Sequence, residues 1–374
     1  MVVRICALPI ARVFVWIAIV LLATAAAFSA GQTPAASDVP PKTDVDGVAP
    51  APPERPEIPI ALVLPLDSEA YARAADAVRA GFLAAAEAAG ERASCLVIGH
   101  GDNGVVGAFE AAQAAGARVV VGPLVRDDLK AIGQSALDLP YTIALNQMED
   151  GAMASPRIYT FALGVESDAR VIARRMRDTA AQNVLIVGGE TPLMKRFAGA
   201  FATSWLLEGG GAPNALPFDA APDALTALKR NVIKSNADAI LLALDGASAV
   251  RGKPYLGTVT TYASGLVFER QTPATLRDLD GLTIVEIPWL ATPDAPELAG
   301  LPRRDYGNAA LERLYALGVD AFRVAQAFRF GPPDHFTLDG ATGRLTLAEG
   351  RQFMREGRLA IYRAGQLVPL DGGR

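Results

Sequence analysis

Ile58-Pro-Ile-Ala-Leu-Val-Leu-Pro-Leu66 is a short apolar run bounded by turn residues. Such a run predicts a strand buried on both faces, as in a parallel sheet. Asp67-Ser68 follows as a turn and candidate helix cap. Beyond it Ala75, Val78, Phe82 and Ala85 recur three and four residues apart, with Arg73, Asp76 and Glu87 between them. That spacing predicts an amphipathic helix, stopped by Gly90. Strand, turn, helix and glycine make half of a βαβ unit, and the chain goes on to repeat it.

Downstream, strands are expected at Cys95–Ile98, Arg118–Pro123, Tyr141–Leu145 and Ile158–Leu163, with helices at Val105–Ala115 and Asp127–Leu137 between them. No helix separates the last two strands, so a crossover between lobes is expected there. A second set follows. Its helices are Glu166–Thr179, Leu193–Leu207 and Ala224–Ser235. Its strands are Asn183–Val187, Ala239–Leu244, Leu256–Thr261 and Thr283–Ile287, with a weak one near Ala215–Phe218. Four prolines in 288–304 mark a return, and Asn308–Phe328 reads as a long helix. The tail changes to short strands at Arg344–Leu347, Ala360–Arg363 and Gln366–Leu370, with Ala364-Gly365 as a tight hairpin turn.

Upstream of the founding strand the composition changes twice. Residues 1–30 carry Arg4 and Arg12, an apolar stretch from Val13 to Ala23, and small residues at Ala25-Ala26-Ala27. This is the pattern of a signal peptide, with cleavage after Ala27 the preferred reading and an uncleaved signal anchor the alternative. Either form sends the remainder out of the cytoplasm, to the periplasm. No cysteine follows the apolar run, so lipid anchoring is not expected. Residues 31–57 are Pro/Ala-rich and read as a linker, which at about 3.1 Å per residue could reach roughly 80 Å. With an uncleaved N-terminus this linker would be a membrane tether.

The chain has 374 residues, 51% of them hydrophobic and 20% charged, which sets it among globular chains with a large core. A net charge of −5 gives no basic face for nucleic acid. Its two cysteines are Cys6 and Cys95, too few for a disulfide framework or a zinc site. Cys95 reads as a small buried apolar residue beside a strand. The fold class expected is α/β: two doubly wound lobes with parallel sheets and multiple crossovers. That arrangement resembles the type I periplasmic binding proteins. By that likeness residues 58–374 form one such domain. Lobe one takes about 58–160 plus 305–335, and lobe two takes about 161–288 plus 340–374.

Several phrases are more specific. They include Ala61-Leu-Val-Leu-Pro-Leu66, Val121-Gly-Pro-Leu124, Ala144-Leu-Asn146 and the helix within 192–210. The most distinctive are Asp278-Leu-Asp-Gly-Leu-Thr-Ile-Val-Glu-Ile-Pro-Trp-Leu290, Arg313-Leu-Tyr-Ala-Leu-Gly-Val-Asp-Ala-Phe322 and Gly340-Ala-Thr-Gly-Arg-Leu345. With these phrases the stretch from Ile58 to Leu370 resembles the penicillin-binding-protein activator family, the LpoA/LppC type. The resemblance implies a non-enzymatic envelope regulator that binds and activates a class A penicillin-binding protein in peptidoglycan synthesis. The sequence departs from the family pattern in having no lipidated cysteine and no preceding helical-repeat domain. The alternative reading is a periplasmic solute-binding protein of amino-acid type, in transport or sensing.

No catalytic signature, cofactor motif or metal-ligand spacing stands out. His100 and His335 are far apart, Ser68 and Ser135 lack the glycines of a nucleophile elbow, and Val187-Gly-Gly-Glu190 lacks the Gly-Lys-Ser/Thr of a phosphate loop. Asp320 reads as a helix-buried or capping residue. Ligands of doubly wound sheets bind at the carboxyl ends of strands. The cleft candidates are therefore Asp67, Ser68, Tyr71, Asp102, Asn146, Gln147, Glu190, Asp245 and Tyr262. Gly101, Pro123, Leu124, Gly189 and Thr261 stand beside them. A small molecule or muropeptide is the ligand class considered; a free amino acid would need strand-end serines or helix amides for its carboxylate and Asp67 or Asp245 for its ammonium. Polar turn residues also cap helices without any ligand.

Overall fold

The founding run forms β1 (Ile60–Leu64) in a computed structural model that describes residues 59–148, 155–268 and 276–370. The expected export segment 1–30 and linker 31–57 lie outside the described residues. All five residues of β1 are buried, and they alternate between two cores. Ile60, Leu62 and Leu64 face one, while Ala61 and Val63 face the other. This is why the run is apolar without a break: a strand covered on both faces has no solvent side.

β2 (Cys95–Gly99), β3 (Val119–Val121), β4 (Tyr141–Ala144) and β5 (Ile158–Thr160) complete a parallel sheet in the order β2-β1-β3-β4-β5. α2 (Val105–Ala114) and α3 (Arg126–Gln134) cover one face, through Phe109, Leu129 and Ile132. α1 (Ala72–Ala88) covers the other together with α9 (Ala309–Ala327), which returns from late in the chain. Asn308 caps α9, its Oδ1 accepting from the Ala310 and Leu311 amides. α1 and α9 approach closely because glycine faces backbone on both sides. A Cβ on Gly81 would lie 1.9 Å from the Tyr315 carbonyl oxygen, and one on Gly318 2.0 Å from that of Val78. Phe82 and Phe322 close the contact edge to face, with ring centroids 5.4 Å apart.

The second sheet has the order β15-β14-β10-β9-β8-β6-β7. β6 (Val184–Gly188), β7 (Asn214–Pro217), β8 (Ala239–Ala243), β9 (Thr260–Ser264) and β10 (Leu282–Glu286) run parallel. β14 (Arg358–Arg363) and β15 (Gln366–Pro369) add an antiparallel hairpin beside β10. Its turn residues Ala364 and Gly365 both have positive φ, +51° and +74°, as a two-residue hairpin requires. α4 (Val165–Asp178) and α5 (Pro192–Leu207) pack on one face around Phe197, Phe201 and Trp205. α6 (Pro222–Ser235) and α7 (Gly246–Gly252) pack on the other, and the short α8 (Pro288–Ala291) follows β10.

Three sequence expectations need correcting. The strand expected at Leu256–Thr261 is shifted to β9, because Lys253–Tyr255 forms a 3-10 turn and Gly257 turns the chain with φ +68°. Asp67-Ser68 does not cap α1. Tyr71 holds the N-cap position, and the Ser68 backbone carbonyl, not its side chain, accepts from the Ala72 amide. The tail is divided. β14 and β15 join the second sheet, but β11 (Thr337–Asp339), β12 (Arg344–Leu347) and β13 (Phe353–Glu356) form a separate antiparallel sheet. Ala341, Leu345 and Phe353 of that segment belong to the core beneath β1, α1 and α9. This third sheet therefore sits with the first set of elements, although the sequence reading placed it with the second.

Candidate functional site

The strand-end residues do not converge. Tyr262 lies inside β9, 3% exposed in the core under α4 and α5, so no cleft reaches it. Thr261 beside it is fully buried, its hydroxyl donating to the Val259 carbonyl at 2.9 Å. Asp245 caps α7, its Oδ1 accepting from the Ser248 amide at 2.8 Å. Glu190 is exposed and pairs with Lys195 at 2.7 Å. Asn146 holds the loop after β4, donating from Nδ2 to the Leu124 carbonyl and accepting from the Gln147 amide, each at 2.9 Å. Gln147 in turn accepts from Gln352 Nε2 at 3.0 Å. Asp102 is exposed at the end of β2. Ser68 is 2% exposed, and its Oγ has no hydrogen-bond partner among the described residues. Tyr71 is exposed.

Of the nine, Asp67 lines an open groove. An open groove of about 760 Å³ runs from Leu66, Asp67 and Gly99, at the ends of β1 and β2, along Ala72, Arg73, Asp76 and Arg79 of α1. Arg304, Tyr306 and Leu311, on the return into α9, close its far side. Arg79 is paired with Asp76. Arg73 and Arg304 are exposed and have no ion-pair partner among the described residues.

A second cluster is polar and buried, and it joins the two halves. Asp168 of α4 accepts from Ser264 Oγ, at the end of β9, at 2.7 Å and from Arg355 Nη2, on β13, at 2.6 Å. Arg355 Nη1 donates to the Thr342 carbonyl at 3.2 Å. The Asp320 carboxylate of α9 accepts from the Ala341 amide, the Thr342 amide and Thr342 Oγ1, at 2.8, 2.7 and 2.7 Å. Asp320 is fully buried, and burial pushes its carboxyl pKa up against the pull of those donors. A third contact crosses from α9 to β10. Arg313 Nε and Nη2 donate to Glu286 Oε1 and Oε2 at 3.1 and 2.5 Å, and Nη2 also reaches the Gly265 carbonyl at 2.6 Å. Buried charges are tolerated when paired and fully hydrogen-bonded, and such networks fix one arrangement of the elements that share them.

Trp289 ties the same region together. Its amide donates to the Ala341 carbonyl at 3.0 Å, and its ring lies 5.1 Å from Tyr315 and 3.7 Å beneath the Arg303 guanidinium. The stretches 278–290, 313–322 and 340–345, remote in sequence, thus meet at one junction. Gly340 leaves room there, since a Cβ on it would lie 2.4 Å from Asp320 Oδ2. The most distinctive phrases of the sequence are accordingly architectural: they hold the halves together. Asp320 is the buried helix residue that the sequence suggested. Asp168, Glu286, Arg313, Thr342 and Arg355 were not singled out. Phe353 and Arg355 are both buried two residues apart on β13, so strand alternation carries the one available signal for Arg355. Among the described residues, no group of three or more His, Cys, Asp or Glu is placed to hold a metal ion.

Comparison with known proteins bears on this arrangement. The family model "LppC putative lipoprotein" matches residues 54–232 and 226–365. The penicillin-binding protein activator LpoA of Edwardsiella ictaluri is 27% identical over 304 residues, which is 69% of this chain and 44% of that protein. LpoA of Escherichia coli is 27% identical over 305 residues, 69% of this chain and 45% of that one. The chain spans less than half the length of these relatives. Among solved structures, a Chromobacterium violaceum protein described as a "putative branched-chain amino acid ABC transporter" is 33% identical with a TM-score of 0.72, covering 81% of this chain and 99% of that one. The C-domain of LpoA (YraM) from Haemophilus influenzae, described as a regulator of PBP1A, superposes with a TM-score of 0.71 at 23% identity. It covers 83% of this chain and 99% of that domain, and it shows the shared fold.

Proposed function

The chain belongs to the LppC family, and from that premise we propose that it is an envelope regulator that binds a class A penicillin-binding protein and raises its synthetic activity. The observation that carries this reading is the pair of family-model matches, which run through residues 54–365. Curated relatives named as penicillin-binding protein activators share 69–71% of the chain. The regulator works in the periplasm, by contact and without chemistry of its own. The buried junction supports that mode of action, because it presents both halves to a partner as one rigid surface. The lobes comprise about 58–160 with 305–335 and about 161–288 with the end of the chain, joined through 337–356.

A second reading has its own observation. The Chromobacterium violaceum protein matches over 81% of this chain and 99% of its own length, at higher identity than the activators do. On that reading the chain binds a solute between its lobes. A reconstituted glycan-polymerisation and cross-linking assay with the organism's class A synthases separates the two. The regulator raises the rate or the degree of cross-linking at stoichiometric amounts. Stimulation of none of the synthases, together with a large rise in melting temperature with one amino acid, would sink the regulator and promote the solute binder.

A further inference from the structure

The groove at the ends of β1 and β2 has features that neither the fold nor the junction uses. Arg73 and Arg304 reach it from opposite walls, α1 and the return into α9, and neither guanidinium is neutralised by a carboxylate among the described residues. Asp67 stands at its head, with Oδ2 only 3.3 Å from where a Cβ on Gly99 would lie, so glycine there gives the carboxylate its room. Tyr306 lines the same groove, with the Arg304 guanidinium 5.1 Å from its ring centroid. Leu66, Ala72 and Leu311 supply apolar wall between the charges. A volume of about 760 Å³ is in the range of small-molecule sites.

We propose that this groove binds a short zwitterionic peptide with at least two carboxylates and one ammonium. The carboxylates lie on Arg73 and Arg304, and the ammonium lies on Asp67. Guanidinium–carboxylate contacts are charge-assisted and bidentate, which selects a carboxylate over an amide. An acidic segment inside a partner protein would meet the same arginines but would bring no ammonium to Asp67, whose charge would repel it. An unlinked cell-wall stem peptide, with several carboxylates and a diamino acid, has the required pattern. That last identification rests on the regulator reading; the charge pattern does not.

The test is calorimetric titration of the purified full-length chain with the synthetic tripeptide alanyl-γ-glutamyl-diaminopimelate. Its carboxyl-amidated form and a form N-acetylated on both amines serve as comparators. Saturable binding is expected, weakened about 10-fold or more by amidation and by Arg73→Gln or Arg304→Gln, the loss for one charged hydrogen bond. Asp67→Asn should weaken the free tripeptide and leave the N-acetylated one unchanged. Both arginines are exposed, so their variants should melt with the parent chain and report binding alone. No saturation at millimolar peptide, or affinity indifferent to both arginine substitutions, overturns the proposal. Equal affinity for an N-acetylated acidic peptide overturns the zwitterionic form and points to a protein segment. Synthase stimulation is measured on the same preparations without peptide. Stimulation without peptide binding refutes the groove alone, and peptide binding without stimulation refutes the regulator alone.

Discussion

Arg355 and Asp168 meet at 2.6 Å with their side chains 4% and 9% exposed, and they join β13 to α4. The pair makes the third sheet the clasp between the first core and the second. Removing one partner leaves a buried charge uncompensated, which costs about 3–5 kcal/mol. Arg355→Met should lower stability by that amount in urea unfolding monitored by tryptophan fluorescence. Arg355→Met combined with Asp168→Leu should recover much of the loss, since an apolar replacement of a whole buried pair is often neutral. A double variant as unstable as the sum of the singles would show that the pair is not the unit that matters.

The contact of α1 with α9 rests on Gly81 and Gly318, each facing the other helix's backbone. Gly318→Ala gains about 0.5–1 kcal/mol of helix propensity. It must also push Val78 and its neighbours aside, and overpacking of this kind costs typically 1–3 kcal/mol. A net loss of stability is expected, and the Gly81→Ala loss should not add to it, because either change alone moves the helices apart. A Gly318→Ala protein more stable than the parent would mean that the helices separate freely.

The alternation of elements was legible because inner parallel strands such as β1 and β8 are covered on both faces and so read as unbroken apolar runs. Leu241 and Leu242, adjacent in β8, face opposite cores. The destination of the tail was not legible. Short antiparallel strands carry period-2 alternation but no mark of which core they serve, and Leu345 and Phe353 serve the first. The junction was hidden for a related reason. Asp168 and Arg355 are 187 residues apart, and a charge in an amphipathic helix reads as solvent-facing unless its partner is known. The strand-end rule named Asp67 but not the other groove-lining residues Arg73, Arg304 and Tyr306, because the groove is walled by α1 and the return into α9. Tyr262 was misplaced with the shifted strand, since a strand ending at residue 261 would have put it at the sheet's rim.

Trp289 is 3% exposed, and its indole carries Arg303 on one face. Arg303 also donates to the Trp289 carbonyl at 2.8 Å, so the return 288–304 is folded onto this one side chain. Trp289→Ala should cost about 3–5 kcal/mol, the range for a large buried aromatic. Trp289→Phe, which keeps an aromatic face for Arg303, should cost less. Equal unfolding midpoints for Trp289→Ala and the parent chain would contradict the buried contact.

Cys95 gives a pH dependence whose sign follows from its burial. It is 7% exposed at the start of β2, and burial pushes its thiol from the ordinary 9.0 to about 11, with Arg92 opposing and Glu91 adding to the rise. The folded chain thus holds the thiol proton more tightly than the unfolded chain does. Its contribution to stability is full below about pH 9 and is lost as pH rises through 9 towards 11. Urea unfolding of the parent chain should therefore fall more steeply than that of Cys95→Ala between pH 8 and pH 10.5. The two curves should run parallel below pH 8. In a Cys6→Ala chain, alkylation of Cys95 by iodoacetamide, which needs the thiolate, should be slow in the folded protein at pH 8 and accelerate on adding urea. Rapid alkylation of the folded chain at pH 8, or identical pH slopes for the two proteins, would place the thiol in an environment other than this one.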